Sequence, residues 1–137
     1  MATFFKFNQF IEDLGLGVHN LDTGALKIYL SDAAPSATLD AIKADLAEIT
    51  NQNGYTAPVD ISSTYSETSG TGNLAGTDVV VTATGAVGPF RYAVLYNDTP
   101  TSPADPLIGC WDYSSEVTLA NAETFTVDFS STIATFT

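Results

Sequence analysis

The sequence predicts a mainly β protein: an antiparallel β-sandwich or jelly-roll-like domain with one short α-helix at about residues 39–49. Three observations carry this expectation. From Tyr55 onward, strand-length apolar runs alternate at short, regular spacing with turns rich in Ser, Thr and Gly. Two of these runs, 90–97 and 107–113, place aromatic, β-branched and aliphatic side chains on both faces of an extended chain. Before residue 55, the segment 39–49 has the clearest helical period. The 137 residues contain no internal repeat and no linker, so one domain is expected.

The elements follow in order. Phe4, Phe5, Phe7 and Phe10 load the first ten residues with more apolar surface than a fraying terminus carries. Residues 1–10 are therefore expected to be an N-terminal arm or strand, either joining the domain's own sheet or docking on a neighbour. Residues 11–137 form the single β-rich domain. A helical turn is offered by 11–17, ended by Gly15 and Gly17. In 25–31, Leu26, Ile28 and Leu30 share one face of a half-buried strand. Over 39–49, Thr38 is the expected N-cap, Asp40 lies in the first turn, and Leu39, Ile42, Leu46 and Ile49 make the apolar stripe. Later strands are expected at 59–67, 78–84, 90–97, 107–113, 116–119, 124–129 and 132–136, with 66–76 the most flexible loop. Phe125, Val127 and Phe129 point one way and Thr124, Thr126 and Asp128 the other.

Sixteen acidic residues stand against three lysines and one arginine, a formal charge of −12. Such a surface repels phosphate backbones and anionic lipid heads, so no nucleic acid and no membrane partner is expected. No stretch approaches the roughly 20 apolar residues of a membrane span, and the N-terminus lacks the pattern of a secretory signal.

Reactive chemistry is sparse. The one cysteine, Cys110, sits between Gly109 and Trp111 in an apolar run, which reads as a buried, inert thiol unless His19, the one histidine, lies beside it. No nucleophile elbow, H-E-x-x-H or paired-cysteine pattern occurs, and the glycines at 70, 72 and 76 lead into a strand rather than a helix. Asp112, between Trp111 and Tyr113, is the acid best placed for a glycosidase-like pair, although a strand edge explains the triplet more simply. Asn97, Asp98 and Asp105 offer oxygen ligands from one loop without the spacing of a calcium loop, and an Asx turn accounts for Asn97-Asp-Thr-Pro. No catalytic, cofactor or metal residue is assigned, and the chain is expected not to be an enzyme.

The order of motifs carries a resemblance. An aromatic N-terminal segment is followed by Ala25-Leu-Lys-Ile-Tyr-Leu-Ser-Asp-Ala-Ala-Pro35, by the 39–46 segment Leu-Asp-Ala-Ile-Lys-Ala-Asp-Leu, and by Tyr65-Ser. Then come Phe90-Arg-Tyr-Ala-Val-Leu-Tyr-Asn-Asp-Thr99, Pro106-Leu-Ile-Gly with Trp111-Asp-Tyr, and Glu123-Thr-Phe-Thr-Val-Asp-Phe129. This order, from Phe7 to Phe129 and strongest over 89–113, resembles small virion proteins of tailed bacteriophages placed with capsid decoration or cement proteins. Cys110 departs from the larger apolar residue expected there. The resemblance implies a sandwich or jelly-roll-like domain on the outside of a shell, made in the bacterial host cytoplasm. Its implied partner is the major capsid protein, it is implied to be a homotrimer, and it needs no cofactor. Phe4, Phe5, Phe7 and Phe10 are the candidate partner contacts, with core packing as the competing role for the same side chains. A tail- or fibre-associated adhesion protein and a carbohydrate-binding module are the alternative functions.

Overall fold

The strand of residues 87–97 runs through the middle of the molecule, and both of its faces are covered by the same chain. The computed structural model describes residues 2–137. In chain order the strands are β1 (Thr3–Lys6), β2 (Leu26–Ser31), β3 (Val59–Asp60), β4 (Thr64–Thr68), β5 (Thr71–Ala75), β6 (Val79–Thr82), β7 (Val87–Asn97), β8 (Leu107–Leu119), β9 (Thr124–Val127) and β10 (Ala134–Phe136); one α-helix, α1 (Asn8–Gly15), follows β1. The main sheet has the order β1-β8-β7-β2-β3, and two smaller sheets pair β10-β5-β4 and β6-β9. Every pairing is antiparallel, giving a mainly β, sandwich-like domain.

Alternation along β7 explains the layering. Ala93 and Leu95 join Leu26, Ile28, Leu30 and Ile108 on one face of the main sheet, against Leu74, Val79, Val81 and Val127 from the smaller sheets and Phe129 just beyond β9. Tyr92, Val94 and Tyr96 point the other way, into a second core with Phe7, Tyr29, Leu46, Leu107 and Cys110. Residues 3–6 supply an edge strand of the main sheet, with Phe4 opposite Trp111 and Phe5 opposite Cys110. Helix α1 then turns Phe10 into the first core, and it ends where Gly17 adopts φ +77°, a left-handed position that glycine occupies without strain.

The segment 32–58 covers the second core, and it is not the helix the apolar stripe predicts. Only Lys43–Asp45 makes a 3₁₀ turn, and Leu39, a member of that stripe, is 81% exposed. The physical reason lies in the acids. Asp40 accepts a hydrogen bond from Ser36 N, and Asp45 accepts from Ala41 N and Ile42 N, so these groups fold the backbone into local turns that compete with a helical ladder. The two donated N–H groups also hold Asp45 below the usual carboxylate range. Extension matters as well: a helix advances about 1.5 Å per residue, whereas this cover must reach across a sheet. It is fastened by Asn8 N to Ala37 O, Leu107 N to Ala41 O and Ile49 N to Leu30 O. Tyr29 Oη and Ser31 Oγ donate to the carbonyls of Leu46 and Ala47, and Tyr55 Oη accepts from Leu30 N. Lys43 lies over the rings of Tyr29 and Tyr96 and pairs with Glu48 at 2.8 Å.

Two other expectations are revised. The 66–76 loop is a hairpin, β4–β5, closed by Ser69 and Gly70 at φ +52° and +83°, the left-handed pair that a two-residue turn requires. The break expected at Ser114 is a bulge within one long strand. From Tyr92/Asp112 to Phe90/Val117, β7 advances two residues while β8 advances five. Ser114, at φ +76°, donates its N–H to the Asp112 carboxylate there.

An extended cover and a helix respond differently to truncation at its apolar positions. Leu46→Ala should lose about 2–5 kcal/mol of stability, while Leu39→Ala should change it by no more than about 0.5 kcal/mol. Denaturant unfolding of the two variants measures this. Equal losses would mean that Leu39 is buried as a helical stripe requires.

Candidate functional site

The residues singled out by chemistry separate in space. Cys110 is buried in the second core, where burial pushes its thiol up to about 12, and its Sγ comes within hydrogen-bonding reach of Trp111 O at 3.8 Å. His19 packs on Phe10, a residue of the opposite core, with ring centroids 5.1 Å apart. The thiol thus has no activating base, and it should resist Ellman's reagent at pH 8 in the folded protein and react stoichiometrically once denatured. Fast titration of the native protein would contradict this burial.

His19 belongs to a buried polar group instead. Thr99 N donates to Asn97 Oδ1, which orients the Asn97 amide so that its Nδ2 faces His19 Nδ1 at 3.2 Å. The ring proton then resides on Nε2. Among the described residues, His19 Nε2 and Asp13 Oδ2 are both buried without a hydrogen-bond partner, and their residues are only 8% and 3% exposed. Asp13 is anchored by Gln9, one turn back on α1. Burial lowers the His19 pKa below its ordinary 6.5, and the nearby Asp13 opposes that shift. A lowered folded pKa means that the unfolded chain takes up the proton first as pH falls. The neutral ring's contribution is therefore complete above about 6.5 and is lost as pH drops toward the folded value, by up to about 1.4 kcal/mol per pH unit. Denaturation between pH 7 and 5 should show a steeper loss for the native chain than for His19→Gln, and parallel curves would overturn this.

Asp112 has the wrong electrostatics for the proton donor of a glycosidase. Arg91 grips it with Nε at 2.8 Å and Nη2 at 3.0 Å, and with the Ser114 N–H this holds its carboxyl below the usual range, whereas such an acid requires a raised pKa. In the 97–105 loop the Asn97 amide is turned inward in an Asx turn, which leaves Asp98 and Asp105 as neighbouring carboxyls. Lys27 holds Asp98 down with a 2.6 Å ion pair, while burial and then Asp98 raise Asp105. Among the described residues, no group of three or more His, Cys, Asp or Glu side chains is arranged to hold a metal ion. No helix among them is long and apolar enough to cross a membrane.

The four candidate contact phenylalanines divide. Phe7 and Phe10 are fully buried in the second and first cores, while Phe4 and Phe5 are half-buried on edge strand β1. The ring of Phe4 lies so close over Gly109 that a Cβ there would meet it at 2.5 Å, and it stacks on Trp111 at 4.8 Å. Beside Trp111 opens a groove of about 380 Å³ lined by Arg91, Ala93, Trp111, Tyr113 and the consecutive residues Phe125–Asp128, with Ala2 and Ser130 also on its lining. The bulge in β8 turns Tyr113 outward to 43% exposure, where its ring meets Phe125 edge-on at 5.5 Å. Trp111 and Tyr113 stand out in the sequence; their convergence with Arg91, Phe125 and Asp128 does not, because it depends on β9 crossing from another sheet. Alternation over 124–129 is the one sequence signal that pointed to Phe125.

Comparison with protein families, with characterised proteins and with solved structures finds no match.

Proposed function

We propose that this chain is a structural docking protein of the capsid-decoration kind its sequence resembles, binding the outside of a phage shell formed by the major capsid protein. One observation carries the reading furthest. The half-exposed and exposed aromatic residues Phe4, Trp111, Phe125 and Tyr113 gather along one side of the molecule, next to the unpaired edge of β1. Aromatic residues on a rigid surface are the side chains that dominate protein–protein contacts. The polar groups with catalytic potential, by contrast, are either buried (Cys110, His19) or ion-paired (Asp112). A self-contained core on both faces of the main sheet also gives the fixed shape that a cement protein needs. It acts by mass action, because it binds the assembled lattice and not free subunits. Trimer formation and the exterior position belong to the same proposal and rest on the resemblance.

Calorimetry of expanded empty shells tests it. Added protein should raise the shell's melting temperature in a concentration-dependent way, and Phe4→Ala should weaken binding at least tenfold, about 1.4 kcal/mol, with circular dichroism unchanged. Shells that neither bind the protein nor gain stability defeat the proposal.

A further inference from the structure

The groove beside Trp111 has the construction of a strand-accepting site. Its wall consists of four consecutive residues, Phe125 to Asp128, which is what a strand contributes when it presents its backbone edge rather than one face. Among the described residues β9 has one strand partner, β6. Ala83 N donates to Glu123 O, and with Val81 opposite Phe125 and Val79 opposite Val127 the antiparallel alternation directs the backbone groups of Phe125 and Val127 toward β6. Those of Thr124 and Thr126 are directed to the free edge. The floor has the complementary period of two: Arg91 and Ala93 from β7, Trp111 and Tyr113 from β8. A strand lying along the free edge of β9 would hydrogen-bond to the wall and set alternate side chains on this floor.

Charge selects the occupant. Arg91 is neutralised by its bidentate pair with Asp112, Asp128 stands on the wall, and Glu116 lies within electrostatic reach of Arg91. The rim is thus net acidic in a chain of formal charge −12. Lys27, Lys43 and Arg91 are each engaged by a carboxylate. In this groove a segment of a second copy, drawn from a chain with sixteen acidic residues against four basic ones, meets like charge, whereas a basic segment is attracted.

We propose that this groove binds an extended peptide segment carrying lysine or arginine at alternate positions, added as a strand to the free edge of β9. The inference deepens the docking role proposed above and rests on that reading for its biological partner.

Trp111 is the one tryptophan of the chain, so its emission reports on the groove directly. The intact protein is titrated with acetyl-(Lys-Val)₃-amide. A saturable change in emission is expected, weakening as salt is raised. Binding should fall at least tenfold when glutamate replaces each lysine, or when alternate peptide amides are N-methylated. Thr126→Pro removes an outward N–H at a position that an edge strand tolerates, and it should weaken binding likewise. Tyr113→Ala provides a second variant should the proline unfold the chain. Equal binding of the N-methylated peptide overturns strand addition, and equal binding of the glutamate peptide overturns the charge selection. Saturation by maltohexaose but not by peptide assigns the groove to a saccharide, and self-association in sedimentation that changes Trp111 emission and excludes the peptide assigns it to a second copy; either overturns the proposal. Shells stabilised by a protein that ignores the peptide would defeat the groove assignment alone. Peptide binding without shell binding would defeat the capsid reading alone.

Discussion

The structure depends on the burial of β7 from both sides. Tyr92, Val94 and Tyr96 on one face and Phe90, Ala93 and Leu95 on the other are all withdrawn from water. Phe90, Val94 and Leu95 each contribute roughly 1.5–3 kcal/mol when fully buried, so neither face can be left to solvent without losing a large part of a marginal stability. The chain must therefore supply two covering layers. One is built of regular sheet, β10-β5-β4 and β6-β9; the other is the irregular 32–58 segment. An irregular cover raises an immediate difficulty, because its peptide groups lack a ladder. Tyr29, Ser31, Asp40 and Asp45 resolve it by bonding the cover's backbone groups with side chains, and Tyr55 of the cover accepts in turn from Leu30 N of β2. Burial pushes the Tyr29 and Tyr55 hydroxyls upward, so both remain protonated.

The surface features follow from how that burial is arranged. β1 occupies the rim of the main sheet because Phe5 and Phe7 reach the second core while Phe4 stays on the first side, against Gly109 and Trp111. The bulge in β8 lets one strand serve both Tyr92 and Phe90 on β7 while expelling the polar Ser114–Glu116 stretch, and this projects Tyr113 over Phe125. The groove is therefore a by-product of closing the first core with a separate two-stranded sheet, whose outer edge has no further strand to pair with. Arg91 and Asp112 pair at the same border, so the one arginine of the chain helps register β7 against β8 and adds little net charge to the rim.

Particular elements show how far local pattern reaches. The period-two alternation of 25–31 and of 124–129 identifies strands because one face of each is wet or differently covered, and β7 stands out through its density of β-formers. The apolar stripe of 39–49 misleads for a definite reason. Leu46 is buried and Leu39 is not, yet both fit a helical period, and Asp40, whose bond from Ser36 N helps decide the matter, looks in the sequence like a favourable first-turn acid. The β4–β5 hairpin was hidden because Ser69-Gly70 is a weaker turn signal than Asn-Gly, and because Thr, Ser and Asn dominate its strands. At the candidate site, Trp111 and Tyr113 were visible as aromatic residues, but Arg91 and the 125–128 segment lie far from one another in sequence and meet only through sheet packing.

Residues 88–113 illustrate where local information stops. Composition alone establishes that this hairpin must be buried on both faces, since apolar side chains alternate to both sides of an extended chain and water is a poor solvent for either. It also establishes that the surface is strongly acidic and that the thiol at 110 lies in an apolar run. Composition is silent on what covers the second face, and a helix, a neighbouring subunit and an irregular segment would all satisfy it. The choice of the 32–58 segment rests on contacts between residues distant along the chain: Leu46 with Tyr29, Ala37 with Asn8, Ala41 with Leu107. Those contacts exist only once the sheet order is set, because hydrophobic burial demands a cover without naming it, and the long-range hydrogen bonds that name it have no local signature.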